Sequence, residues 1–575
     1  MPLGLSEAAP GRSGLWLALA LLAAAGQVQA QQAQAQVPPL ALPGPIDPNR
    51  LEQRFEQPPT PQSVPEPDLL APEQAPPPKE AEAVRFALSA IELDGQTVYS
   101  ADELRPLWEG LLNRTVTLAE VYGVRDAITA RYRNDGYVLS QAIVPAQRIR
   151  GGVVRLQIVE GYINDVAFQG DFADHAGLLQ GFAARIKASR PLRMADMERY
   201  VLLADDLPGV TVRTVLEPAE GVPGASNLTF NLERTPFAGS LAVDNRGTRS
   251  VGVLQLSGTL VADDQLGRFD RTAVLGSVAQ QVKELRFLDV THTQTLDSEG
   301  TTAQLGLRRS WAEPGDNVRP LEIDSLTSSL RLAVAHPLLR SRSETLRGEL
   351  AFTIRDSRTN ILGQRQAEDR LRIVSASLAY DVADGWNGSN LVQATLSQGL
   401  NVLDASRPGS ATPRSRADGR SDFTKLGLIL QRDQRLGDAF ALVLAGEGQY
   451  AGHELLSSEE FGIGGKTYGR AFDSSEITGD SGFAARAEFQ YAMPPLQDWL
   501  TYAQLYVFSD YGAVWNHESG SRHGRRSLAS AGTGVRFGLL ERLDATMEVA
   551  KPFIRSPFTT QDRGLRAFFS LGTRF

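Results

Sequence analysis

Cysteine is absent from the 575 residues, which removes disulfide frameworks, thiolate metal sites and a cysteine nucleophile together. Basic excess is absent too: 58 Lys and Arg face 67 Asp and Glu, a formal charge of −9. The phosphate-neutralising footprint of a nucleic-acid binder is therefore missing, and no nucleic-acid partner is expected. Beyond the N-terminus no uninterrupted apolar run reaches the roughly 20 residues that a spanning helix needs, so a membrane location would require a barrel. None of the six histidines, His175, His292, His336, His453, His517 and His523, lies in the context of an oriented catalytic base. No P-loop, G-x-S-x-G or HExxH string occurs. Gly479-Asp480-Ser481-Gly482 matches the string around a chymotrypsin-like nucleophile, but that chemistry needs a histidine held by a carboxylate. No catalytic residue, metal ligand or cofactor is expected.

What is present begins with Arg12 and the apolar run LWLALALLAAAG, ending in Val28-Gln29-Ala30. A charged start, a short apolar run and an A-x-A-like site predict a secretory signal peptide over 1–30. Residues 31–83 are too rich in Pro and Gln to pack a core and read as linker. Inside them IDPNRLEQRFEQ carries a capping Asp47, Pro48 in the first turn, and Leu51 and Phe55 one turn apart. That pattern predicts a short tethered helix over about 47–56, or transient turns in a disordered arm.

From Phe86 the texture alternates. FALSAIELDG reads as a strand, SADELRPLWEGLLN as a helix opened by a Ser100–Glu103 capping box, and TLAEVYGVRDAITARYRNDG as a second helix. YVLSQAIVP and GGVVRLQIVEG follow as strands. The β-α-α-β-β order recurs in YINDVAFQGDF, HAGLLQGFAARIKAS, MADMERYVLLADDLPG, VTVRTVLEPAE and NLTFNLERT, so two copies of one module occupy about 84–161 and 162–235. A three-stranded sheet with a usable edge suits pairing with an extended peptide; a plain spacer role stays open.

After Thr235 strand-like segments with dyad alternation run to the end. Sixteen are placed, starting near Phe237, Val251, Asp270, Val282, Thr301, Ser325, Glu344, Asp369, Gly388, Asp422, Asp438, Ser481, Trp499, Arg525, Asp544 and Arg563. An even count of ten-residue alternating segments fits an antiparallel outer-membrane barrel over 236–575. A large β-sandwich or repeat array would alternate equally well, but does not explain the terminal aromatic strand RGLRAFFSLGTRF after a signal peptide.

Two motifs now carry a family resemblance. Gly464-Gly465 is followed after three residues by Gly469-Arg470-Ala471-Phe472 and then Gly479-Asp480, and a late strand holds Phe508-Ser509-Asp510-Tyr511-Gly512. With the tandem modules, the chain resembles the two-partner secretion transporters: POTRA (polypeptide-transport-associated) domains before a sixteen-stranded barrel. Gly469 and Ala471 stand where that family has Val and Gly.

The resemblance implies an α+β periplasmic part and an all-β transmembrane barrel in the outer membrane. It implies export of an unfolded haemolysin- or adhesin-like exoprotein through the pore, lipid and the barrel-assembly machinery as further partners, and a monomer. An outer-membrane assembly or insertion factor is the alternative, and a plain porin is disfavoured by the modules. The 47–56 helix resembles the family's pore plug, and Phe575 is expected to act as an assembly signal.

With the modules in the periplasm, every odd-to-even connection is extracellular, which makes the Arg470 loop the sixth extracellular loop. Gln504, Tyr506, Phe508, Asp510 and Gly512 share the face opposite Leu505, Val507 and Tyr511. Asp510 is thus expected in the lumen, where Arg470 on an infolded loop would grip it with a fork that lysine lacks. A solvated surface arginine is the plain alternative.

Overall fold

The computed structural model describes residues 42–56, 58–64, 76–170, 172–407, 412–494, 497, 499–517, 524–540 and 542–575. The expected signal peptide and much of the Pro-rich linker lie outside them.

In chain order the first module comprises β1 (Arg85–Leu88), β2 (Ala90–Asp94), α1 (Ala101–Leu104), β3 (Arg114–Thr117), α2 (Leu118–Asn134), β4 (Gln141–Ile143) and β5 (Val153–Val159). The single strand expected over FALSAIELDG is split at Ser89, because the chain changes partner there. β1 pairs with β3, whereas β2 runs parallel to β5. The Ser100–Glu103 capping box forms, but α1 lasts one turn. Pro106 brings no N–H and crowds the preceding turn, so the chain goes on in 3-10 turns, Arg105–Leu107 and Glu109–Leu111. A second capping box, Thr117 with Glu120, opens α2. Its Val121, Val124, Ile128 and Tyr132 pack on Val154, Leu156 and Ile158 of β5.

Where this module ends, Glu160 accepts hydrogen bonds from the Thr97 N–H (2.7 Å), the Val98 N–H (3.0 Å) and the Tyr132 hydroxyl (2.7 Å). Partial burial acts to raise its carboxyl. The bonds from Thr97, Val98 and Tyr132 outweigh that and hold it below the usual glutamate range.

The second module has the expected β-α-α-β-β order, β6 (Tyr162–Gly170), α3 (Leu178–Ala188), α4 (Met194–Asp205), β7 (Val210–Pro218) and β8 (Ala225–Arg234), whereas in the first the short strand β3, not expected from the sequence, stands between the two helices. Phe182, Ile186 and Leu203 from the helices meet Leu228 and Phe230 of β8. The sheet orders are β2-β5-β4 and β6-β8-β7. β7 is therefore an edge strand, exposed from Arg213 to Pro218.

The remaining strands close a barrel. The first eleven are β9 (Phe237–Asp244), β10 (Gln255–Asp263), β11 (Asp270–Ala279), β12 (Arg286–Thr295), β13 (Thr302–Ala312), β14 (Asp324–Arg340), β15 (Glu344–Ile361), β16 (Gln364–Asp384), β17 (Gly388–Gly399), β18 (Thr424–Arg435) and β19 (Phe440–Ala451). A small hairpin, β20 (Phe461–Ile463) with β21 (Ile477–Gly479), interrupts the series. Then come β22 (Ser481–Met493), β23 (Leu500–Trp515), β24 (Arg526–Leu539), β25 (Leu543–Pro552) and β26 (Arg566–Arg574). β26 closes on β9, giving sixteen antiparallel strands as the alternation predicts.

The dyad pattern works as the physics of a barrel in lipid requires. Met547 and Val549 are exposed outward while Glu548 between them is buried toward the lumen, and Leu332, Val334, Phe569 and Leu571 face out. The second strand starts at Gln255 and not at Val251. Val251 is drawn from the ladder into an apolar cluster with Leu51, Ala279, Leu285 and Ala312.

Candidate functional site

The sixth connection between barrel strands joining extracellular ends runs from Gly452 to Asp480 and folds back into the barrel. Its β20–β21 stem and tip residues Tyr468, Ala471 and Phe472 form one apolar cluster with wall residues Tyr506, Phe508, Val514, Leu528, Ala550 and Phe568. Burial of this face fixes the loop against the wall.

Two glycines make that approach possible. A Cβ on Gly512 would lie 2.6 Å from Ile463 Cδ1, so the wall needs a residue without a side chain where the stem leans on it. Gly469 has φ +73°, a left-handed backbone in which a β-branched residue is strained. Glycine in place of the family's valine suits this turn. Gly464 and Gly465 form the opposite side of the same turn, bonded through their N–H groups to the carbonyls of Tyr468 and Phe472.

Arg470 is buried at the loop tip and meets Asp510 of β23. Its backbone N–H (2.9 Å) and Nε (3.3 Å) donate to Asp510 Oδ2, and Nη2 donates to Oδ1 (3.1 Å). The guanidinium lies 3.5 Å above the Phe508 ring centroid, a cation–π contact that adds to the fork. Phe472, two residues on, packs in the same cluster.

Two further carboxylates complete the site. Arg470 Nη1 is bonded to Glu488 of β22 and lies 3.8 Å from Glu548 of β25. Glu488 also receives Arg536 (2.8 Å) and Glu548 receives Arg246 (2.6 Å). Three arginines thus balance three carboxylates in a space shielded from bulk water, where breaking one pair strands the others. Sequence reasoning missed Glu488, Glu548, Arg536 and Arg246. The parity that puts Asp510 inward applies equally to Glu488, between Ala487 and Phe489, and to Glu548.

Gly479 ends β21, and Asp480 is not part of the Arg470 cluster. It lies at the outer end of the loop, where Arg416 from the preceding extracellular loop grips both its oxygens and the Leu455 and His517 N–H groups donate to it (2.8 and 3.0 Å). Nothing in the spacing of the sequence links Arg416 to Asp480, which are joined only by the fold. Phe575 exchanges backbone hydrogen bonds with Gly239 (2.8 and 3.0 Å) at the opposite, periplasmic rim.

Residues 42–56 occupy the lumen. Ile46 packs with Val318, Ile323 and Ile361 near the extracellular end. Residues Pro48–Arg54 form a 3-10 helix and not an α-helix, with the Asp47 carboxylate accepting from the Asn49 N–H. Arg50 bonds the carbonyls of Ser457 and Glu460, and Gln53 that of Ser458, so the segment is tied to the sixth loop itself. Phe55 stacks on Phe287 of β12, ring centroids 4.1 Å apart. Farther along, the Gln62 and Ser63 N–H groups donate to the Asp381 carboxylate near the β16–β17 turn, and Ser389 Oγ donates to the Ser63 carbonyl. The linker is thereby strapped to the periplasmic mouth.

A lipid-facing sixteen-stranded barrel, two small α+β modules at its periplasmic mouth, and a lumen loop pinned by arginine define a POTRA-bearing outer-membrane polypeptide transporter. The family model described as haemolysin secretion/activation protein ShlB/FhaC/HecB matches residues 224–537, and the ShlB-type POTRA domain matches 86–161. The chain belongs to that family of two-partner secretion transporters, with its barrel in the outer membrane and its modules in the periplasm. Among relatives, the heme/hemopexin transporter protein HuxB of Haemophilus influenzae (strain 86-028NP) is 23% identical, covering 82% of this chain and 84% of its own. The outer membrane transporter CdiB of Dickeya dadantii (strain 3937) is 24% identical over 75% and 77% of the two chains. The solved structure of CdiB from Escherichia coli matches with a TM-score of 0.72 at 20% identity, covering 89% of this chain and 94% of that one.

Proposed function

We propose that the modules capture an unfolded exoprotein on their exposed sheet edges, and that residues 47–56 and the sixth-loop tip together gate the pore through which it leaves. The observation that supports this reading most is the direct bonding of the lumen segment to the loop, Arg50 to Ser457 and Glu460: plug and loop form one body, and cargo cannot pass without moving it. A single chain forms the pore, without catalysis or cofactor. Gly464, Gly465, Gly469, Arg470 and Phe472 shape the loop tip, with Phe508, Asp510 and Gly512 as its seat. Gly479 and Asp480 hold the loop's outer end, and Phe575 serves the barrel-assembly machinery as an insertion signal. The cargo is a haemolysin- or adhesin-like exoprotein. Folding of the cargo outside the cell supplies direction, since the periplasm offers no nucleotide.

Deleting residues 47–56 tests the gate. In planar bilayers the deleted protein is expected to show larger or more frequent openings while secretion is kept; unchanged conductance would mean that the segment does not obstruct the pore.

A further inference from the structure

The ladder that closes the barrel is its shortest. β26 pairs with β9 from Ser570–Asp244 to Arg574–Ser240, five residue pairs, whereas the ladders on either side have eight each. Above it Asn245 adds one more step, its backbone N–H donating to the Phe569 carbonyl (3.3 Å) and its side chain donating to the Ala567 carbonyl (3.1 Å) and accepting from the Phe569 N–H (2.8 Å). Beyond Asn245, β9 offers β26 nothing more, and the first residues of β26 pair with β25 alone.

Two arginines fill this gap, one from each edge. Arg246, just past the end of β9, donates Nη1 to the Arg470 carbonyl (3.0 Å) and Nη2 to Glu548 (2.6 Å), and lies 3.9 Å above the Phe568 ring centroid of β26. Arg566, the first residue of β26, donates Nη1 to the Ala471 carbonyl (2.9 Å) and Nη2 to Asp473 Oδ1 (2.8 Å). Consecutive carbonyls at the loop tip are thus held from opposite sides of the seam.

We propose that the sixth-loop tip is the clasp of the barrel seam, with Arg246 and Arg566 as positioning residues that couple the place of the loop to closure between β9 and β26. While the tip is seated, its backbone bridges the two edges where no strand pairing does. When the tip withdraws, both arginines lose their carbonyl acceptors and the upper seam is left with the Asn245 bridge. The loop proposed above as gate therefore also controls the wall. The inference rests on the loop being able to move, but not on what is exported.

A cysteine-free chain allows a direct test in full-length protein in membranes. A Cβ at Gly572 would lie 3.6 Å from the Ala242 Cβ, within the ~3.5–4.5 Å that a disulfide accepts. The Ala242→Cys/Gly572→Cys pair therefore reports a closed seam. Ser257→Cys/Ser277→Cys, between β10 and β11, is the control, its native hydroxyls lying 2.9 Å apart.

Adding Arg246→Gln and Arg566→Gln is expected to slow oxidation of the seam pair about fivefold or more, as loss of one or two hydrogen bonds would, and to leave the control pair unchanged. Lysine in place of glutamine at 566 (Arg566→Lys), which keeps the cationic arm without the fork, should recover part of the rate. In bilayers the double Gln variant should open more often, and oxidising its seam pair should restore the native frequency until the bond is reduced. Equal seam rates in both backgrounds, or equal slowing of the control pair, would overturn the proposal. Because no cargo enters the assay, a failed clasp is distinguishable from a failed export reading.

Discussion

Arg470 answers to three carboxylates, and this fixes how its variants should behave. Arg470→Ala leaves Glu488 and Glu548 to Arg536 and Arg246 but strips Asp510 of its cation, while the Arg470 backbone bond to Asp510 can persist. Secretion should fall sharply with a heat-modifiable barrel at normal abundance, because the contact seats a loop and builds no strand. Arg470→Lys should recover only part, a point charge being unable to fork. Asp510→Ala should cost less than Arg470→Ala, since Glu488 still receives the guanidinium. In the double variant the losses should fall short of multiplying, with a coupling of about 0.5–3 kcal/mol as for residues in one network. Secreted cargo and barrel abundance, measured together across this cycle, check it; strict multiplication would mean that the two residues act independently. The partnership of Arg470 and Asp510 was legible in strand parity plus motif, whereas the second and third carboxylates needed the same parity applied to strands that carry no motif.

At the scale of elements, the first module hangs on Glu160, which ties the Thr97–Val98 turn, α2 through Tyr132, and the start of β6. Its carboxyl is depressed in the fold. The sign follows: stability from this hub is present above the ordinary glutamate value of 4.5 and is lost as pH falls through the lower, folded value. Amide-exchange protection of the 97–100 turn and of α2 in the full-length protein should therefore drop as the medium is acidified below that value. Glu160→Gln should remove that acid dependence while lowering protection at neutral pH. A profile unchanged by Glu160→Gln would take the hub away. The Ser100 cap was readable from sequence because it acts within four residues. The division of the first strand was not, because Arg85–Leu88 and Ala90–Asp94 look alike until β3 and β5 choose between them.

Across the whole molecule, the second module rests on the periplasmic turns through Phe269 of the β10–β11 turn, buried in the module's own core, and through ion pairs around it. Arg340 meets Asp206 with two bonds (2.7 and 2.8 Å), Arg342 meets Glu198 (3.5 Å), and Glu299 takes Arg185 (3.0 Å) and Arg199 (3.6 Å). Each ion pair is worth ~0–1 kcal/mol and weakens with salt, so the buried Phe269 is the firmer tie between module and barrel. Every strand of the closed ladder comes from beyond Thr235. A chain lacking residues 86–235 should therefore still insert as a heat-modifiable barrel, yet release no cargo to the medium. Secretion at the native level by that truncation would remove the modules from cargo capture.

By itself the sequence determined the things written in short-range periodicity: two repeated modules, sixteen alternating strands, the inward face of the Asp510 strand, and a loop with its arginine at the right spacing from an inward aspartate. Period two and period 3.6 arise from backbone geometry, so they are present before any folding. Tertiary structure alone decided which inward charges meet. Arg416 with Asp480, Arg50 with the carbonyls of the sixth loop, and Arg246 and Arg566 at either side of one loop tip are joined across separations in sequence of 64 to more than 400 residues. Closure of the barrel sets those distances. A chain's local pattern can say that a charge points inward, but only the curvature and register of the closed wall determine what it finds there.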